Sequence, residues 1–250
     1  MIYAFGLAAI ATGIVDLIYG ALDPAHQPLQ AWGDHVPGSR LYAYALGALL
    51  VAGGGGVLLE RTRRLGAYAI AFAYLVVAIF WLPRLFTAPS ILGYTPAVYI
   101  GVTAGVCAEV IVICAALVLA NRGGVAVRWV FGLCAICFGL QHLLNVHDAN
   151  NTSMVPQWMP FGQVFWVALT GTAFVLAGIA IVIRVADVLA ARWLAAMLLV
   201  FSAVTLIPLL VAAPGDEANW GGKFYEITAA ASAWLLGDWL LRARIRKPSS

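Results

Sequence analysis

Eight stretches of about twenty predominantly apolar residues follow one another along this chain, separated by short polar connections. A helix rises about 1.5 Å per residue, so roughly 20 such residues cross a hydrocarbon layer of about 30 Å. Inside lipid every backbone N–H and C=O must find its partner within the protein, which makes the helix the expected form of each run. Read between turn-forming clusters, the runs predict spans at about 3–22, 40–59, 65–83, 96–120, 128–146, 161–183, 188–212 and 223–241. With 63% hydrophobic and 10% charged residues, against about 25% charged in soluble domains, this is not an ordinary soluble protein. The 250 residues leave only connections outside the spans, which excludes a soluble catalytic domain, a nucleic-acid module and a disordered tail. A net charge of +3 is too small to point to a polyanion, so no nucleic-acid partner is expected. Function is expected in or against the lipid bilayer. The first run lacks a basic leader and a small-residue cleavage site and contains Asp16, so it reads as a retained span with the mature chain starting at Met1.

The basic residues predict an orientation. Arg61, Arg63, Arg64, Arg122, Arg128, Arg184, Arg192, Arg242, Arg244, Arg246 and Lys247 fall on one side, and Arg40, Arg84 and Lys223 on the other. By the positive-inside rule both termini are cytoplasmic, as in a multi-pass protein of a bacterial plasma membrane. The connections around 23–39, 84–95, 147–160 and 213–222 then face outward, carrying Asp23, His26, Asp34, His35, His147, Asp148, Asp216 and Glu217. Trp32, Trp158 and Trp220 lie there too, as interfacial anchors or ligand platforms.

Laid over itself, the chain repeats. Residues 5–20 align with 131–146 at an offset of 126, with seven of sixteen positions identical. Gly47 aligns with Gly171 at an offset of 124, and Pro83 and Pro89 with Pro208 and Pro214 at 125. The expected fold is therefore all-α, a polytopic membrane protein of eight transmembrane helices in two four-helix repeats, 1–124 and 125–250. Four being even, both copies enter from the same side and are parallel repeats. Gly53 to Gly56, with Gly13, Gly47, Gly139, Gly171 and Gly178, are the expected sites of close backbone approach.

The second copy reads Gly139-Leu-Gln-His142-Leu, then Val155-Pro156-Gln-Trp158-Met-Pro160, then Trp166-Val-Ala-Leu-Thr-Gly171. This pattern resembles the DoxX-like membrane proteins, whose four-helix unit has G-x-x-[K/H]-[L/F] late in its first helix, a VP-x-W-x-P segment and an aromatic-x-x-L-T-G second helix. The first copy is a degenerate version, with Gly13-Ile-Val-Asp16-Leu, Val36-Pro37 and Tyr44-Ala-Leu-Gly47. It departs in placing Asp16 where the family usually has Lys or His, and in lacking the tryptophan-proline portion. The resemblance implies a membrane four-helix bundle, a link to quinone-dependent oxidation of sulfur compounds, and partnership with other membrane or redox subunits.

Candidate chemistry is sparse. Asp16 and His142 occupy equivalent positions about one turn before the outer ends of their helices, where an ionisable group should face the bundle or a wet cavity. Imidazole titrates near neutral pH, so His142 could handle protons or bind a quinone head group with His147 and Trp158; a structural hydrogen bond is the alternative. Glu109, deep in the fourth span, reads as a proton relay or partner of a cation, or else as a protonated hydrogen-bonder between helices. Asp238 and Arg242, one turn apart, predict an intrahelical ion pair. Cys134 and Cys137 have C-x-x-C spacing with no cation beside them and, like Cys107 and Cys114, read mainly as small packing residues. His26, His35, His147 and Asp148 match no metal-ligand spacing, and no metal site is expected. Haem would need two facing histidines within spans, retinal an intramembrane lysine; neither is expected. Asn150-Asn151-Thr152-Ser153 reads as a polar turn.

Three function classes follow. A quinone-linked redox membrane subunit predicts a pocket between spans near His142. A non-catalytic accessory subunit of a larger membrane complex predicts an apolar flank covered by partners. A transporter or channel predicts a polar path to both faces.

Overall fold

The computed structural model describes residues 1–22 and 38–245, and all regular structure among them is helical. The expected outer residues Asp23, His26, Trp32, Asp34, His35, Val36 and Pro37, together with Arg246 and Lys247, lie outside the described residues. Each apolar run forms a helix: α1 (Ile2–Tyr19), α2 (Ser39–Leu58), α3 (Arg63–Trp81), α5 (Pro96–Leu119), α6 (Val125–Leu144), α8 (Gln163–Ile183), α9 (Asp187–Ala212) and α10 (Glu217–Ile245). Local chemistry sets their ends. Gly20 takes a left-handed φ of 62° and returns its N–H to the Asp16 carbonyl, stopping α1. Pro96 opens α5 behind Thr95, whose hydroxyl accepts the Val98 N–H at 3.4 Å.

Seven of these helices, α1, α2, α3, α5, α6, α8 and α9, are long and apolar enough to cross a membrane, so the chain is an all-helical multi-pass membrane protein. The expected span at 223–241 is helical but is not among the seven. Its helix α10 carries Lys223, Glu226 and Asp238 among its apolar residues.

Two connections expected as loops contain further helices, α4 (Arg84–Leu92) and α7 (Ala149–Ser153). α4 buries Ala88 and Pro89 and exposes Phe86, Ile91 and Leu92, the pattern of a helix lying at a lipid interface. The Arg84 guanidinium stacks 4.5 Å over the Trp81 ring. α7 replaces the expected polar turn.

The neighbours run in a ring, α1, α2, α3, α5, α6, α8, α9, α10 and back to α1, with α5 and α10 also touching across its middle. Alanines permit that central approach: Ala115 and Ala116 of α5 and Ala230, Ala231 and Ala233 of α10 are fully buried. Glycine sets the tightest contacts. A Cβ on Gly54 would lie 2.5 Å from the Gly6 carbonyl oxygen, and Gly13 abuts Gly47 in the same α1–α2 seam. The α6–α8 seam has the same arrangement, with a Cβ on Gly178 2.5 Å from the Gly132 oxygen and one on Gly139 2.5 Å from the Gly171 oxygen. Asp16 and Leu17 press on Gly47 as His142 and Leu143 press on Gly171.

Candidate functional site

The last turns of α1 and α6 place Asp16 and His142 against a glycine of the next long helix, and burial follows: Asp16 is 1% exposed. His142 Nδ1 lies 2.8 Å from the Phe138 carbonyl oxygen one turn back, and the ring rests 5.7 Å from that of Phe174. A carbonyl accepts only, so this bond puts the ring proton on Nδ1 and leaves Nε2 as an acceptor. Neutral His142 therefore has no proton left to offer a quinone carbonyl.

A polar clasp, unforeseen in the sequence, surrounds the end of α6. Gln141 Nε2 donates to Asn151 Oδ1 at 3.1 Å, Asn151 Nδ2 to the Asn145 carbonyl at 2.8 Å, and Asn145 Nδ2 to the Ala97 carbonyl at 3.4 Å. The clasp ties α7 and the start of α5 to α6, which explains why Asn151 is buried although its neighbourhood reads as a solvated turn.

Glu109 belongs to a different place. It is fully buried on α5 near Tyr225 of α10, which in turn lies near Tyr74 of α3 and Cys134 of α6. Tyr225 Oη donates to the Ala108 carbonyl at 3.0 Å, fastening α10 to α5 beside the carboxyl group. Asp16 thus packs on α2, His142 on α8, and Glu109 beside Tyr225 of α10, so the three candidates sit against separate neighbours.

The cysteines are closer to one another than their sequence reading suggests. The Cys107 thiol lies near both Cys134 and Cys137 across the α5–α6 seam, and Cys137 Sγ points at the Ile100 carbonyl at 3.8 Å. The sequence did contain the signal. An antiparallel hairpin turning near Arg122 brings residues equidistant from it to one level, and Cys107 and Cys137 are each 15 positions away. Diamide treatment of the detergent-solubilised protein is expected to join Cys107 to one of the α6 cysteines, removing two hydrogens from the intact mass. In Cys107→Ser the loss of two hydrogens should disappear; its persistence in that variant would mean that Cys107 is not a partner.

The expected Asp238–Arg242 ion pair is replaced by one between helices. Arg192 Nη2 of α9 reaches Asp238 Oδ1 at 3.4 Å while its guanidinium lies 5.4 Å over the Trp234 ring, and Arg242 Nε donates to the Asp238 backbone carbonyl at 3.2 Å. Asp238 faces α9, so its carboxylate meets the cation across the seam before the one on its own helix.

His142, His147 and Trp158 do not converge on either of the large clefts beside α8. Trp158 is 69% exposed, as an interfacial anchor would be. Among the described residues no group of three or more His, Cys, Asp and Glu side chains is placed to hold a metal ion. The two clefts lie between α8 and α9. One, of about 330 Å³, is bounded by Pro156, Met159, Trp166 and Thr170; the other, of about 490 Å³, by Leu176, Ala177, Ala186 and Leu189. They share Leu169, Ala173, Trp193 and Met197 and so adjoin one another along the seam, both with apolar linings. Two of the polar hydrogens there are already donated to backbone: Thr170 Oγ1 to the Trp166 carbonyl at 2.7 Å and Trp166 Nε1 to the Pro160 carbonyl at 2.7 Å.

Fold and site define an all-helical multi-pass membrane protein with a long apolar cleft on one flank. Comparison with protein-family models, curated proteins and solved structures returns no match.

Proposed function

We propose that this chain is a DoxX-like protein of two parallel four-helix copies, 1–124 and 125–250, serving as the membrane subunit of a quinone-linked redox system. Its place would be a bacterial plasma membrane, with both termini cytoplasmic. The recurrence of the glycine contacts at offsets of 126 in the first helix and 124 in the second supports the duplication. So does the neighbour order, in which α1, α2, α3, α5 and α6, α8, α9, α10 play matching parts. α10 is then the eighth span. Its ionisable residues near the ends are matched by partners, Lys223 Nζ with Glu226 Oε1 at 2.8 Å and Asp238 with Arg192, while the stretch from Thr228 to Ser232 between them is buried.

The observation that carries the functional reading is the α8–α9 cleft. Its outer part is built from Pro156, Met159, Trp166, Leu169 and Thr170, all drawn from the segments that carry the family resemblance. An apolar lining suits an isoprenoid chain, and the indole of Trp166 offers a face for a ring. A quinone supplies two-electron redox chemistry when bound. Because the Thr170 hydroxyl and Trp166 indole protons are already donated to carbonyls, this chain would hold the quinone mainly by apolar packing and leave proton handling to a partner redox protein. Titrating the detergent-solubilised protein with decylubiquinone should quench tryptophan fluorescence saturably. Ala173→Trp, which fills the shared section of the cleft, should weaken that binding at least about tenfold. Equal quenching in both proteins would reject the cleft as the berth.

A second reading has one observation in its favour: the membrane window of α9 is the least buried of the seven, at 28%. A partner helix laid against Leu189, Trp193 and Val200 would make this chain a non-catalytic accessory subunit. Absence of saturable quenching, with a second protein retained through gentle purification, would favour that reading.

A further inference from the structure

Four chain segments meet at the arginine-rich end of the bundle: the start of α1, the α2–α3 turn, the end of α5 and the last turns of α10. They enclose a cavity of about 290 Å³ whose polar walls carry Arg63, Arg64 and Arg242, with Glu60 and Asn121. Each guanidinium is steadied through its Nε. Arg63 Nε donates to the Val57 carbonyl at 3.3 Å and Arg242 Nε to the Asp238 carbonyl at 3.2 Å. The Asn121 amide, turned with its oxygen inward, accepts from Arg64 Nη2 at 2.9 Å and Nε at 3.3 Å. Among the described residues no carboxylate, Glu60 included, comes within 4.0 Å of any of these three guanidinium groups.

Three cations around one cavity repel one another, and a single nearby carboxylate does not neutralise them. An anion that accepts several planar N–H forks at once does so best, and phosphate is such an anion. The same cavity is also lined by Ile2, Val118 and Leu119, apolar residues at the ends of membrane helices. A lining that joins cationic to apolar side chains suits an amphiphile. We propose that this cavity binds the phosphate of an anionic phospholipid, with the headgroup among Arg63, Arg64 and Arg242 and the upper acyl chain along Ile2, Val118 and Leu119. The site is separate from the α8–α9 cleft and does not depend on quinone binding there.

Each basic residue at such a surface contributes about fivefold to the binding of anionic lipid. Native mass spectrometry of the full-length protein in dodecyl maltoside, titrated with phosphatidylglycerol, tests this directly. A one-to-one adduct should form at least about fivefold more tightly than with phosphatidylcholine. Arg64→Gln should lose about fivefold, and Arg64→Gln with Arg242→Gln should bring phosphatidylglycerol close to the phosphatidylcholine level. Arg184→Gln, which lines no part of the cavity, should change nothing. Should the double variant fail to fold, Arg64→Gln carries the test alone, since Arg64 is exposed and its loss opens no core. Equal binding of the two lipids, or undiminished binding by Arg64→Gln, would overturn the proposal. Complete displacement of phosphatidylglycerol by millimolar inorganic phosphate would overturn the lipid assignment in favour of a soluble phosphate compound.

Discussion

Gly54→Ala is expected to destabilise the protein by about 2–3 kcal/mol, while Gly55→Ala, one residue along, should be neutral or stabilising by up to about 1 kcal/mol. The two glycines belong to one run and look interchangeable in sequence. A Cβ on Gly54 would lie 2.5 Å from the Gly6 carbonyl oxygen, 2.7 Å from Ile10 Cγ1 and 3.0 Å from the Ile10 amide nitrogen, whereas one on Gly55 would meet nothing within 4 Å. Two of those three atoms are backbone, so relief requires parting the helices. Between helices in lipid there is little hydrophobic drive to restore the contact, and close van der Waals packing is most of what is lost. Gly178→Ala should repeat the Gly54 result in the α6–α8 seam, where its Cβ would lie 2.5 Å from the Gly132 oxygen and 2.7 Å from Ile136 Cγ1. Unfolding in mixed detergent and dodecyl sulfate reads the difference, as does a fall in melting temperature of roughly 5–10 °C for Gly54→Ala and Gly178→Ala alone. Equal behaviour of Gly54→Ala and Gly55→Ala would show that the seam does not depend on glycine. The α6–α8 seam also sets how far His142 stands from Phe174, so Gly178→Ala should in addition disturb the C-terminal end of α6.

Periodicity and length made the long helices legible, because twenty apolar residues in lipid have few other ways to satisfy their backbone. The two short helices escaped for opposite reasons. In α4, Pro83, Pro89 and Gly93 punctuate the sequence as a loop would, yet Pro83 and Gly93 flank the helix and only Pro89 interrupts nine residues. In α7, the asparagines that read as solvated are held by Gln141 and Asn145, a partner set visible only once α6 has ended beside them. Side-chain partners were the least legible feature. Asp238 has a cation four residues along its own helix but meets Arg192 from α9, since the direction in which a carboxylate points depends on how α10 is turned. His142 was readable as a polar residue at a helix end; that its Nδ1 is occupied by Phe138 was not. The α8–α9 cleft was also hidden, because an opening between two apolar helices leaves no trace in hydropathy.

Arg128→Leu is expected to cost about 2–4 kcal/mol, although the residue reads in sequence as one more arginine of the basic end. Its side chain is 7% exposed, and Nη1 donates to the Ile181 and Val182 carbonyls at 3.1 and 2.8 Å. These oxygens belong to the last turn of α8, where helix carbonyls have no partner further along. The end of α8 satisfies only part of the need itself, the Arg184 and Val185 N–H groups both returning to Ala180. α2 solves the matching problem locally, Thr62 Oγ1 donating to Gly56 and Arg63 Nε to Val57. With no such donors after α8, the cation must come from α6, where it also complements the negative end of the helix dipole. Leucine, shorter and without a donor, would leave two carbonyls unsatisfied, each costing about 1–3 kcal/mol, partly relieved by water at the bundle end. Arg128→Lys keeps a charge and can hold one carbonyl, so it should recover about half of the loss. Thr62→Ala, by contrast, removes a single donor from a half-exposed turn and should cost no more than about 1 kcal/mol. Measured unfolding free energies in the order wild type, Thr62→Ala, Arg128→Lys, Arg128→Leu would establish that a side chain from a neighbouring helix closes α8; an Arg128→Leu protein as stable as Thr62→Ala would show that water does so instead.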